Sequence, residues 1–297
     1  MQRRILGVSL LGLVLVVGVI MIARQRPAVQ PSTKPLVITT LFPYYDAARI
    51  IAGPYMDVES LFPFGVGVHD GALTPDSRER LASANLIITN GLGLEPFAKE
   101  LPDIVSKKTT ILEASRGIHI LAGDPQDQSG NPHIWMSPAN MMTIAATIRD
   151  GLIAVDPAHR GAYEKNTADF VEQLRSLDDA FQKDSASAPS KSIVTFHDAF
   201  VYLADRYQLA IAGVLEEFPG REPSARELAD LIATIKRVGV KAIFSEPQFS
   251  PRIVETVASD LHLKVFVLDP METAVDGDAY LKVMERNRQA LNEALRQ

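Results

Sequence analysis

The stretch AHRGAYEKNTADFVEQLRSLDDAFQK, residues 158–183, decides the fold. Its apolar residues Tyr163, Phe170, Leu174, Leu177 and Phe181 recur at the spacing of one helical face. Asp156-Pro157 opens the segment, because proline in a first helical turn has no N–H that the helix needs. The pattern runs for about 28 residues, far beyond an ordinary globular helix of ~10–14. A stripe that long, lying between two sets of strand-like segments, predicts a strut between lobes.

Outward from this helix, both flanks alternate short apolar runs with amphipathic segments. LVITT (36–40), DVESLF (57–62), NLIIT (85–89) and TTILEA (109–114) lie on one side. SIVTF (192–196), LAIAGVL (209–215), KAIFS (241–245) and KVFVLD (264–269) lie on the other. Helices are expected between them, with a kink at Pro102 inside PFAKELPDIVS (96–106). Such alternation predicts an α/β fold of two lobes with mainly parallel sheets, joined by a single long rigid helix. The expected parts are an N-terminal lobe over 36–156, the linking helix over 157–188 and a C-terminal lobe over 189–297.

Before the first lobe, Met1-Gln2-Arg3-Arg4 precedes an apolar stretch from Ile5 to Ala23 and then Arg24-Gln25-Arg26. As a helix this stretch would reach roughly 28 Å, close to one hydrocarbon core. Residues 1–25 therefore read as a signal peptide or N-terminal membrane anchor, and 26–35 as a tether. The stretch exceeds a usual signal core and ends in Met21-Ile22-Ala23, a poor cleavage site, which favours an uncleaved anchor. The flanking basic residues point to export of the remainder, hence a periplasmic or extracytoplasmic location. The chain has no cysteine, which excludes thiolate metal sites, disulfides, a Cys nucleophile and a lipid-carrying cysteine. A formal charge of −6 gives no electrostatic reason to expect nucleic-acid binding.

Three histidines carry distinctive surroundings: His69 in GVGVHDGALTP (65–75), His133 in GNPHIWMSP (130–138) and His197 in VTFHDAF (194–200). Each lies at a junction leading into a helix, where side chains converge in open α/β sheets. Neutral imidazole suits Zn, Cu, Fe and Ni, and carboxylates complete such shells. Asp269, ending KVFVLD, is the candidate carboxylate, and Glu246 in FSEPQFS (244–250) follows a strand in the same way. The expected ligands are thus His69, His133, His197 and Asp269, meeting in the interlobe cleft. His119, His159 and His262 lack comparable settings and are read as surface or structural residues.

HExxH, GxSxG, GxxxxGK[ST] and GxGxxG motifs are all absent, so the common hydrolase, phosphate-loop and dinucleotide enzymes lose support. A three-His zinc hydratase or hydrolase stays open, since such a site with a free fourth position would activate water. A structural or interaction protein with an incidental metal is a further alternative.

TTLFPYYDAARIIAG (39–53), NGLGLEPF (90–97), NPHIWMSP (131–138), TFHDAF (195–200), VKAIFSEPQFSP (240–251) and VLDP (267–270) together resemble the cluster A-I solute-binding proteins. These are the zinc- and manganese-binding receptors of bacterial ABC importers, and the resemblance runs from about Leu36 to the C-terminus. It implies a non-enzymatic receptor, acting as a monomer, that captures a divalent metal and delivers it to ABC permease subunits. It places the ligand roles on His69, His133, His197 and Asp269, with Glu246 as an outer or alternate ligand. Histidine at the third position implies Zn2+, with Mn2+ or Fe2+ as alternatives. The first motif departs from the family's usual run around its histidine, and the His-rich acidic loop of many zinc members is absent.

Overall fold

The computed structural model describes residues 34–63, 65–67, 71–123, 129–216, 223–273 and 277–297. The expected anchor and tether up to Thr33 lie outside them, as does His69. Among the described residues no helix is long and apolar enough to cross a membrane.

Among the described residues there are two four-stranded parallel sheets. The first contains β1 (Leu36–Thr39), β2 (Asp57–Ser60), β3 (Leu86–Thr89) and β4 (Thr110–Glu113), in the order β2-β1-β3-β4. The second contains β5 (Ser192–Thr195), β6 (Ala210–Val214), β7 (Ala242–Ser245) and β8 (Lys264–Val267), in the order β6-β5-β7-β8. The two sheets thus repeat one winding. In each, strand order reverses between the first and third strands, so a crevice opens between β1 and β3 and another between β5 and β7. Every residue of β3 and β7 is buried, as expected of parallel strands covered on both faces.

Helices start where the sequence offers capping groups. Thr74 accepts from Ser77 N–H ahead of Pro75–Ser83, and Ser137 accepts from Asn140 N–H ahead of Pro138–Val155. Ser224 and Glu227 form a reciprocal capping box at Ala225–Val238. The expected helix through Pro102 is instead a 3-10 turn, Ala98–Glu100, followed by a single turn, Leu101–Ile104. Pro102 sits in the first positions of that last turn, where its missing N–H costs nothing, so it starts a turn rather than kinking a longer helix.

The long helix is Arg160–Ser187, 28 residues, preceded by the 3-10 turn Pro157–His159. Tyr163, Phe170, Leu174, Leu177 and Phe181 are all buried on it. They belong to one core that includes Val37 and Ile87 near one sheet and Phe244 and Leu268 near the other. Burial of such side chains is worth about 1.5–3 kcal/mol each, so the helix is held along its length rather than at its ends alone. Polar ties reinforce both halves. Asn166 donates to Ile51 O, while Asp178 accepts from the Arg206 guanidinium and the Tyr207 hydroxyl.

Candidate metal centre

The crevice of the second sheet supplies the first candidate ligand. His197 lies just beyond β5 and Glu246 just beyond β7, the two strands that flank the reversal of order. Ligands in open α/β sheets bind at this place. The Glu246 carboxylate holds His197 twice: Oε1 accepts from His197 N–H at 3.0 Å and Oε2 lies 2.5 Å from Nδ1. Gln248 donates to the same Oε2 at 3.0 Å. The ring is thereby fixed with Nε2 turned away from Glu246.

His133 arrives from the first lobe and is held in the same manner by a different side chain. It precedes the 3-10 turn Ile134–Met136. Asn131 Oδ1 lies 3.0 Å from both His133 N and His133 Nδ1. An amide oxygen only accepts, so Nδ1 carries a proton toward Asn131 and Nε2 is the nitrogen turned toward Glu272. The loop bearing His133 is itself braced: Asn90 donates to Pro132 O, and Tyr44 OH donates to Asn90 Oδ1. Buried Glu95 accepts from Thr40 OH and from the N–H groups of Asn90 and Gly91. Burial pushes the Glu95 carboxyl up, while those donors pull it down. Thr40 and Asn90 follow β1 and β3, so the first sheet's crevice braces the site in the way the second sheet's crevice builds it.

The third group is Glu272, a residue the sequence reading passed over. Its Oε1 lies 2.9 Å from His133 Nε2 and 3.4 Å from His197 Nε2, and the two Nε2 atoms are 3.4 Å apart. His133, His197 and Glu272 are buried, and their ligand atoms all lie within 4.8 Å of one another. Two zinc ligands at ~2.0–2.1 Å in tetrahedral array are separated by ~3.3 Å. The observed triangle matches one face of such a tetrahedron.

Asp269, the expected carboxylate, does not join this triangle. Its Oδ1 accepts from Met271 N–H at 2.8 Å, closing an Asx turn, and its Oδ2 faces Arg286 at 3.8 Å. The turn holds buried Met271 at φ 60, a backbone conformation that non-glycine residues seldom adopt. Asn287 secures the same loop by donating to Asp269 O and accepting from Asp269 N–H. Trp135 Nε1 donates to Pro270 O from the opposite lobe. Asp269 therefore shapes the turn that delivers Glu272. The sequence signal that points there is the Asp-Pro pair itself, since a turn-forming Asp commits its carboxylate locally.

Electrostatics follow from this packing. Burial opposes a charge on His197, but the hydrogen-bonded carboxylates of Glu246 and Glu272 prevail and hold its pKa up to about 10. Burial pushes the Glu246 carboxyl up, against the pull of His197.

The other histidines lie in different settings. His159 stacks on Tyr55 with ring centroids 4.0 Å apart and bonds to Asp156 at 2.5 Å. His262 ends the helix Arg252–Leu261 in a left-handed conformation.

Comparison with known proteins identifies relatives of the chain. The family described as zinc-uptake complex component A, periplasmic, matches residues 37–294. The zinc-binding lipoprotein AdcA of Streptococcus pneumoniae is 30% identical over 278 residues, covering 86% of this chain and 55% of that protein. The chain thus spans about half the length of the AdcA proteins it matches. The high-affinity zinc uptake system protein ZnuA of Bacillus subtilis is 28% identical over 277 residues, 87% of each chain. Among solved structures, Zn(II)-bound AdcA from Streptococcus pneumoniae superposes with a TM-score of 0.79 at 30% identity, over 89% of this chain and 58% of that one.

Proposed function

Because the chain belongs to the family of periplasmic A components of zinc-uptake complexes, we propose that it is an extracytoplasmic receptor that captures Zn2+ and hands it to an ABC permease. The observation that carries this reading is the buried triangle of His133 Nε2, His197 Nε2 and Glu272 Oε1. Its edges fit a tetrahedral ion, and its donors are two imidazoles and one carboxylate, a set that suits borderline-soft zinc better than manganese. We assign His133, His197 and Glu272 as ligands and His69, on its sequence setting, as the fourth. Glu246 acts as the outer acceptor that orients His197, and Asp269 shapes the loop. Four protein ligands close the shell and leave no position for a reactive water, which supports binding over catalysis.

Residues 5–23 tether the receptor to the membrane in this reading, and intact-mass analysis of exported protein tests it: an unprocessed N-terminus is expected, and a mature N-terminus between about Ala23 and Pro35 overturns it. Metal analysis of protein purified without added metal, followed by zinc–manganese competition, tests the function. One zinc per chain, displaced by manganese only in large excess, is expected. Absence of bound transition metal, or hydrolytic turnover above that of free zinc, overturns it.

A further inference from the structure

Asn131 is buried to 2% exposure, and both ends of its side chain are engaged. Its amide oxygen takes His133 N–H and Nδ1, both at 3.0 Å. Its amide nitrogen donates to Asp198 O at 2.7 Å and to Asp198 Oδ2 at 3.0 Å. The Asn131 carbonyl accepts from the Tyr202 hydroxyl at 2.8 Å, and Asn131 N–H donates to Leu121 O. Asp198 directly follows His197, and Tyr202 lies on the helix Val201–Arg206 of the same lobe.

We infer that Asn131 is a positioning residue that ties the orientation of His133 to the lobe carrying His197, so that one amide sets both the tautomer of one ligand and its distance from the other. The amide has a single orientation that fits. Asp198 O only accepts, so Nδ2 must face it, and His133 N–H requires Oδ1 on the other side. Separating the lobes removes the bonds that hold the amide in place, and with them the acceptor that fixes the His133 ring. A carboxylate at 131 keeps the acceptor for His133 but offers no donor to Asp198. An alanine removes both halves.

The inference rests on the receptor reading above, and the experiment separates the two. Zinc affinity is measured by chelator competition, and release rate by rapid mixing with excess chelator. The proteins are the wild type, Asn131→Ala, Asn131→Asp, Asn131→Asp with Asp198→Asn, and Tyr202→Phe. The cobalt(II) absorption spectrum reports the ligand geometry of each. Outer-shell partners of metal-bound histidine are worth about 10–100-fold in affinity. Asn131→Ala should weaken zinc by that factor, mainly through faster release, with an altered cobalt spectrum. Asn131→Asp should release zinc nearly as fast, even though it adds a negative charge beside the ligand. Adding Asp198→Asn, whose amide can donate back to the new carboxylate, should slow release in part, because the backbone carbonyl of residue 198 still lacks its donor. Tyr202→Phe keeps the side-chain bridge and should accelerate release only a few-fold.

Wild-type release and spectrum in Asn131→Asp would reduce Asn131 to a local acceptor and overturn the coupling. No slowing of release on adding Asp198→Asn to Asn131→Asp would do the same. If Asn131→Ala does not fold, the aspartate pair and Tyr202→Phe carry the test alone. Failure of the wild type to bind zinc would sink the receptor reading instead.

Discussion

The Nε2 atoms of His133 and His197 lie 3.4 Å apart, one ring held by a neutral amide and the other by a carboxylate. Both rings use the same device: backbone N–H and Nδ1 grip one side chain, and Nε2 is left facing the cleft. The difference in charge makes the two ligands unequal. A carboxylate partner draws the Nδ1 proton and makes the opposite nitrogen the stronger donor. In the proposed site His197 is therefore the residue through which affinity is most easily tuned.

Glu272, rather than Asp269, is expected to govern binding. Glu272→Gln removes the anionic corner of the triangle and should weaken zinc by about 100-fold or more, beyond the usual effect of an outer partner. Asp269→Asn should leave affinity within about the 10-fold expected of an outer-layer change. Its cost should fall on stability, because the Asx turn that holds Met271 is weakened. Parallel competition titrations and thermal melts of the two apo variants check this. A larger affinity loss for Asp269→Asn would return the ligand role to Asp269.

That contrast shows what was legible in the sequence. The two lobes, the linking helix and the parallel strands followed from pattern, because most strands, such as β3 and β7, are short apolar runs and the helix keeps one stripe from Tyr163 to Phe181. His133 and His197 stood out through their neighbours, and the structure brings them together. Glu272 did not, because one acid in METAVD resembles any exposed loop acid until the turn at Asp269-Pro270-Met271 directs it inward. The break at Pro102 was misread for a related reason: proline is tolerated at the start of a helical turn, and sequence alone does not say where that turn begins. Asn131 was invisible as a ligand partner, since its role depends on Asp198, far away in the chain.

Zinc affinity should fall with acidity. His197 has its pKa raised to about 10, so the metal-free site is protonated at neutral pH and binding must displace that proton. Below that pKa, apparent affinity should rise about tenfold per pH unit for each proton released, giving about 100-fold between about pH 6 and about pH 8 for one proton. Calorimetry in buffers of different ionisation enthalpy counts the protons directly. Glu246→Gln removes a partner that holds the pKa up and should flatten the profile. A pH-independent affinity over this range would show that His197 does not bind the ion.

Metal release should move the lobes little. Hinge closure requires a few residues free to change φ and ψ. Here the connecting helix Arg160–Ser187 is buried along one face, and Asp178 anchors it to Arg206 and Tyr207. Small-angle scattering of apo and zinc-bound protein should give nearly equal radii of gyration. A wide opening on metal removal would require the helix to bend, which its packing opposes.

Last, His197→Glu should shift selectivity toward manganese. The replacement exchanges a nitrogen donor for oxygen and adds a negative charge next to Glu246 and Glu272, both already buried. Oxygen-rich, anionic shells suit manganese, while imidazole suits zinc. Zinc should still bind more tightly in absolute terms, because divalent affinities rise from manganese toward zinc whatever the site. The zinc-to-manganese ratio should nevertheless fall, by about 10-fold or more on the scale of outer-shell changes. His262→Glu, at the exposed end of the helix Arg252–Leu261, serves as the control and should leave the ratio unchanged. Competition titrations with both metals decide the matter. An unchanged ratio in His197→Glu would remove His197 from the shell and, with it, the tetrahedral reading of the triangle.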